Sequence, residues 1–322
     1  MLYNVKAGIL GLDELGNSYA HLIKDHVKNL NLIAAYGRTQ KELLFAKNDL
    51  SLEYVYSDEK SLIENHDVDV LFIFSDTARR PHQAIQAINA GKHVFLPNPI
   101  ALNLDDAQAV KDAADSRPSQ TLMASSTVRF TPLLKAVKES VDKGEIGVIN
   151  HITIDSTFVT GLNKTFGQNS GSVFLDTAID EIDLCQWLLD DRLTYLNVER
   201  NNETFICQAK TDNKSSLNLI VQPKLQKAQS YLNIYGNKGQ IIVSNTNTRS
   251  YKLYNDGGLK QDVYVEDIYP FNFPEYLQLH HFTKVILGKE KAVVKSQHAV
   301  NIIEAAVGFE KSKVLDQDII LT

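Results

Sequence analysis

The first 125 residues alternate short apolar runs with stretches whose apolar residues recur at helical spacing. Val5–Leu10 predicts a buried strand, and residues 15–28 a helix with Ala20, Ile23 and Val27 on one face. Leu30–Tyr36 predicts a second strand and residues 41–48 a second helix. Residues 70–74 form an unbroken apolar run between charges, as in a strand covered on both faces. Residues 81–90 predict a helix with Pro81 at an early position, and residues 92–96 another strand. A helix follows over 104–114, capped by Asn103 with Asp105 and Asp106 in its first turn. Residues 121–125 close this half with a short strand. Strand alternating with helix implies right-handed crossovers and a parallel, doubly wound sheet.

After about residue 128 the pattern changes. Residues 132–143 predict an amphipathic helix closed by Gly144, residues 151–158 a half-exposed strand, and residues 176–189 a helix. Strand-like runs then recur at 204–210, 217–221, 231–235, 240–243 and 250–254, with a turn signal at 255–258. Runs of strands predict an open, mostly antiparallel sheet. Residues 280–287 and 298–313 predict closing helices. The division expected is a first domain over 1–125 and a second over 126–322.

A chain of 322 residues suits two domains. With 43% hydrophobic and 22% charged residues it has the composition of a folded protein. Lys plus Arg is 33 and Asp plus Glu is 39, giving −6, so there is no general attraction to nucleic acid or anionic lipid. Cys185 and Cys207 are too few for a disulfide framework or a zinc site. No apolar run approaches the roughly 18 residues a membrane helix needs. The N-terminus runs straight into a strand without a cleavage-site pattern, so a cytoplasmic protein is expected.

The strand, turn and helix at 5–28 are the context in which a G-x-G-x-x-G fingerprint marks a dinucleotide site. Here the turn reads Gly11-Leu12-Asp13-Glu14-Leu15-Gly16. The first and third glycines stand, and Asp13 replaces the second, where the backbone would approach a pyrophosphate. A carboxylate about 5 Å from a phosphate charge costs roughly 3 kcal/mol at an effective dielectric of about 20, near a hundredfold in affinity. Either Asp13 turns away and a cofactor binds, or the fold survives with a weakened or empty cofactor site. At the end of the second strand NAD sites carry an acid, and NADP sites an Arg for the 2′-phosphate. This chain has Arg38 and Thr39 there, so NADP is favoured over NAD if a dinucleotide binds; a solvated Arg38 is the other reading.

Further motifs are familiar as a set. Residues 90–95 read Ala-Gly-Lys-His-Val-Phe and are followed by Asn98-Pro99-Ile100-Ala101. Arg129-Phe130, Lys143-Gly144-Glu145-Ile146-Gly147, the segment 171–189 and residues 234–239 (Ile-Tyr-Gly-Asn-Lys-Gly) complete it. In this order they resemble the glucose–fructose oxidoreductase and inositol dehydrogenase family (Gfo/Idh/MocA) over nearly the whole chain. The resemblance implies an N-terminal Rossmann domain and a C-terminal α/β domain. It also implies a homo-oligomer, dimer or tetramer, formed through the open sheet, and hydride transfer between a nicotinamide and a sugar or cyclitol carbon. Thr77 and His82, after the third clear strand, are placed by it near the cofactor, and Lys164 near the substrate.

Two departures touch the chemistry. The family's Glu-Lys-Pro motif reads Pro97-Asn98-Pro99, and Asn98 donates hydrogen bonds but cannot exchange a proton near neutral pH. The Asp-x-x-x-His-x-x-Asp motif reads Asp176 to Asp183 with Asp180 at the His position. Alcohol oxidation needs a base with a pKa near the working pH, which histidine supplies untuned. Asp176 and Asp180 at i and i+4 would share a helix face, and like-charge repulsion would lift one of them into range. Asp180 is then either a substitute base, oriented by Asp176, or a cleft residue without chemistry. On a helix Glu181 would point away from the Asp176 and Asp180 pair, so no metal site is expected. His151, His280, His281 and His298 stand apart, and Tyr19 and His21 lie near the nucleotide loop. Two functions stay open: an NAD(P)-dependent oxidoreductase of a sugar, cyclitol or polyol, and a non-catalytic relative that binds a carbohydrate or protein partner. Lyase or hydrolase chemistry with a tightly held cofactor is a weaker third.

Overall fold

The computed structural model describes residues 4–159, 172–202, 204–224, 229–244, 249–255, 257–266 and 273–321. The first half runs β1 (Val5–Leu10), α1 (Glu14–His26), β2 (Leu30–Tyr36), α2 (Gln40–Leu44), β3 (Tyr54–Tyr56), α3 (Glu59–Ile63), β4 (Val70–Ile73), α4 (Arg80–Asn89), β5 (His93–Leu96), α5 (Leu104–Asp115) and β6 (Leu122–Ala124). The strands pair in the order β3-β2-β1-β4-β5-β6, all parallel. Every residue of β4 is buried, as its unbroken apolar run requires. Asn103 caps α5 by accepting from the Asp106 N–H at 2.8 Å. The chain leaves β1 toward β2 on one side and returns to β4 on the other. This is a topological switch point, where ligands of such sheets bind beyond the strands' carboxyl ends.

The expected second helix is shorter than its pattern. It stops at Leu44 and passes into a π-helical turn over Phe45–Asp49, which buries Ala46 and is followed by buried Leu50. Strand β3 and helix α3 are three and five residues long, too short for a periodic signal.

The second half continues with α6 (Thr127–Phe130), α7 (Pro132–Asp142), β7 (Ile149–Val159), α8 (Val173–Thr177) and α9 (Ile179–Leu189). Strands β8 (Leu193–Asn201), β9 (Thr204–Thr211), β10 (Ser216–Lys224), β11 (Gln229–Gly236), β12 (Gly239–Val243), β13 (Ser250–Asn255) and β14 (Gly258–Tyr264) come next. Helices α10 (Pro274–Ile286) and α11 (Ser296–Leu315) and the short β15 (Ile319–Ile320) finish the chain. The nine-stranded sheet has the order β14-β13-β12-β11-β7-β10-β9-β8-β15. Among the described residues only β7 and β10 of this sheet pair in parallel; the other pairings are antiparallel. The sheet is therefore mostly antiparallel, as the run of strands implied.

The helix expected over 176–189 is two helices. Ala178, at φ −117° and ψ 5°, lies in neither α8 nor α9, so Asp176 and Asp180 stand on opposite sides of a break. This corrects the expectation that they share one helix face.

The chain divides into two compact units, residues 1–126 with 275–300 and residues 127–274 with 301–322. Helix α10 thus belongs to the first unit. Its Phe282 lies edge-on to Phe72 with centroids 6.1 Å apart and 5.6 Å from Phe95. Its Gln278 is fully buried. The amide oxygen accepts from Ser125 Oγ (3.0 Å) and Ser126 N (3.1 Å), and the amide nitrogen donates to the Tyr19 hydroxyl (2.7 Å).

Candidate active site

The glycine turn sits where β1 meets α1, at the switch point. Gly11 has φ +95°, and a side chain there would press within 2.7 Å of the Phe74 carbonyl carbon. A Cβ at Gly16 would overlap the Gly11 carbonyl oxygen. These positions hold the tight turn and the close packing of helix on strand that a dinucleotide cradle needs. Leu12 is buried beneath the turn and Leu15 is half-buried.

Asp13 is exposed, but its carboxylate is folded back on its own helix. It is the N-cap of α1, with Oδ1 accepting from the Gly16 N–H at 2.9 Å. Its charge remains at the helix N-terminus, where an anion would otherwise collect all the favourable field.

Close to this turn lies a residue that no local motif singles out. Arg80, at the start of α4, is 4% exposed. Its Nε donates to the Ser75 carbonyl (2.9 Å) and its Nη1 to the carbonyls of Pro99 (2.7 Å) and Pro97 (3.5 Å). Burial lowers its pKa to about 10, while the nearby charges of Asp13 and Asp76 oppose that fall. Arg80 therefore ties the loop after β4 to the Pro97-Asn98-Pro99 turn.

Arg38 and Thr39, the residues expected at a 2′-phosphate, are both engaged within the protein. Arg38 Nη1 donates to Asp76 Oδ2 at 2.8 Å, and the Arg38 backbone N–H donates to Glu42 Oε2 at 2.6 Å. Thr39 Oγ1 caps α2 by accepting from the Glu42 N–H at 3.2 Å. Thr77 is half-buried with its carbonyl accepting from the Arg80 N–H (3.3 Å), and His82 lies exposed on α4.

Asn98 spends one amide hydrogen on the Ser125 carbonyl (2.7 Å), tying the end of β5 to that of β6. Among the described residues its Oδ1 is buried without a hydrogen-bond partner. Buried acceptors are rarely left so, and a donor from a ligand or water would complete it.

In the second unit Asp180 is exposed in the first turn of α9. The Asp176 backbone is in α8, and its side chain lies outside the described residues, as does Lys164. Asp183 is structural. It is fully buried, and its Oδ1 accepts from Arg129 Nε (2.9 Å) and Nη2 (2.6 Å). Glu181 turns toward the sheet, where Ser156 Oγ donates to its Oε1 at 2.5 Å. Burial pushes the Glu181 carboxyl upward, with the Ser156 hydrogen bond opposing. Among the described residues no group of three or more His, Cys, Asp or Glu could hold a metal ion. His151 has Ser216 Oγ and Thr153 Oγ1 at its two ring nitrogens, and His281 has Glu290 and the Val293 N–H, so both are built into local structure.

The sequence matches two family models in tandem. Residues 5–125 match the NAD-binding Rossmann fold of an oxidoreductase family, and residues 138–317 match that family's C-terminal alpha/beta domain. The chain belongs to the Gfo/Idh/MocA family. Among its relatives, the myo-inositol 2-dehydrogenase of Thermotoga maritima is 27% identical over 189 residues, 59% of this chain and 56% of that protein. The chain thus spans little more than half the length of such relatives. The scyllo-inositol 2-dehydrogenase (NAD(+)) of Bacillus subtilis is 20% identical over 97% of this chain and 95% of that protein. In fold, the chain is similar to the scyllo-inositol dehydrogenase of Lactobacillus casei solved with NAD(H) and scyllo-inositol. The TM-score is 0.85 at 22% identity, over 98% of this chain and 99% of that one. The NAD-binding Rossmann domain of this family makes the chain an oxidoreductase relative with a nicotinamide-type fold. No helix among the described residues is long and apolar enough to cross a membrane.

Proposed function

We propose that this protein is a nicotinamide-dinucleotide-dependent oxidoreductase that acts on a cyclitol, sugar or related polyol. The observation that carries the reading is the glycine turn at the switch point, with Asp13 folded onto α1. That orientation turns the side chain onto the Gly16 N–H, while its charge stays at the helix N-terminus. Gly11, Leu12, Asp13, Leu15 and Gly16 would hold the pyrophosphate, with Arg38, Thr39, Thr77 and His82 along the rest of the cofactor. A bound nicotinamide would accept or return the hydride of an alcohol carbon. Asp180 would take the hydroxyl proton, Asp176 would orient it or bind a neighbouring hydroxyl, and Asn98 would hold a substrate oxygen through its second amide hydrogen. The names of the inositol dehydrogenases among the relatives support a polyol substrate. NADP through Arg38 needs that guanidinium to leave Asp76, so NAD is the form we favour. A cytoplasmic homo-oligomer formed through the open sheet accords with the family.

Asp13 still leaves a charge at the helix N-terminus, and Asn98 stands where the family has Lys. These favour a second reading, a non-catalytic relative that binds a carbohydrate or a protein partner. Titration with NADH and NADPH, followed by reduced-nicotinamide fluorescence, separates the two. Micromolar binding is expected. No binding at millimolar nucleotide would remove the oxidoreductase reading.

A further inference from the structure

Arg38 follows β2 and Asp76 follows β4, and in the sheet order β1 lies between those two strands. Two strand spacings separate the backbones by about 10 Å. The side chains close that span at 2.8 Å, above the carboxyl end of β1 and its glycine turn. The Glu42 carboxylate lies on the Arg38 backbone N–H at 2.6 Å. The guanidinium therefore meets the Asp76 carboxylate, and Glu42 holds the Arg38 backbone, at the edge of the crevice where the adenosine end of a dinucleotide runs. A ribose diol needs an acceptor, which a carboxylate supplies. A 2′-phosphate, close to doubly negative near neutral pH, needs a cation that is not already neutralised.

We propose that Asp76 is a specificity-determining residue: by holding Arg38 it sets this chain for NAD and against NADP. Asp76 is not at the end of β2, where the acid that reads the ribose usually stands; it acts from β4, through Arg38. The pair is half-exposed, 53% for Arg38 and 41% for Asp76, so breaking it costs little stability and the variants fold. The inference rests on the dinucleotide reading proposed above.

The test is the ratio of NADPH to NADH affinity, measured by nucleotide fluorescence on the whole chain. The unaltered protein binds NADH the tighter. Asp76→Asn tightens NADPH by about tenfold or more and moves NADH by less than about threefold, as expected for one charge removed at partly solvated range. Adding Arg38→Leu to Asp76→Asn abolishes the gain, because the freed guanidinium is what captures the phosphate. An unchanged ratio in Asp76→Asn, or a gain that survives the loss of Arg38, overturns the inference and leaves the dinucleotide reading standing. Binding of neither nucleotide to either protein overturns both.

Discussion

Each compact unit buries an arginine, and the two are solvated differently. Arg129 meets a carboxylate: Asp183, fully enclosed, takes two of its N–H groups on one oxygen, with the Trp187 ring 6.0 Å from the guanidinium carbon. Arg80, equally enclosed, meets carbonyl oxygens of Ser75, Pro97 and Pro99, and the acids that affect it act at a distance. The first arrangement is a closed pair whose charges cancel. The second leaves positive charge beneath a glycine turn, in a place where an anion is expected. A buried pair stabilises mainly in the sense that losing one half is ruinous. A carbonyl-solvated cation is less tightly bound to its surroundings and keeps a field that extends beyond them.

The sharpest way to break the contrast is Asp183→Asn. It removes the carboxylate charge that faces the buried Arg129, and unfolding experiments are expected to record a loss of about 3–5 kcal/mol. Arg80→Met is expected to cost less, about 1–3 kcal/mol in the same measurement, because what it strands are neutral carbonyl acceptors. It also removes the positive field under the turn, so NADH binding should weaken by more than the stability change. Equal losses for the two variants would show that the carbonyl cage and the ion pair are equivalent. The smallest effect concerns Glu181, whose folded-state pKa is raised by burial. The folded protein then holds that proton to higher pH than the unfolded chain does. The stability this contributes is fully present below the unfolded-state value and is lost as pH rises through the raised one. Glu181→Gln stays neutral and can still accept from Ser156. Its urea midpoint should therefore gain on that of the unaltered protein as pH rises above the ordinary carboxylate range, and parallel curves would refute this.

The apolar spacing located the parallel strands well because buried strands such as Val70–Ile73 read as continuous runs, and their neighbours as amphipathic helices. It missed the break at Ala178, since alanine is the strongest helix former and nothing local ends the pattern. Arg79-Arg80 reads as surface charge; only the packing of α4 against the turns puts one of the two inside. The Arg38–Asp76 contact joins residues 38 positions apart, and no local motif announces it. The glycine turn was legible, but the direction of the Asp13 carboxylate was not, because a cap and a clash share one sequence. Capping satisfied a helix N–H, and that settled the direction.

The return of α10 to the first unit bears on the order of synthesis. When residue 126 leaves the ribosome, every strand of the parallel sheet exists, yet Phe72, Phe95 and the Tyr19 hydroxyl still lack the partners that Phe282 and Gln278 bring. At translation rates of about 5–20 residues per second, that gap lasts roughly 8–30 s. A nascent chain therefore carries an unsealed aromatic face until α10 is made, after the strands up to β14, which is the interval in which a chaperone would find it.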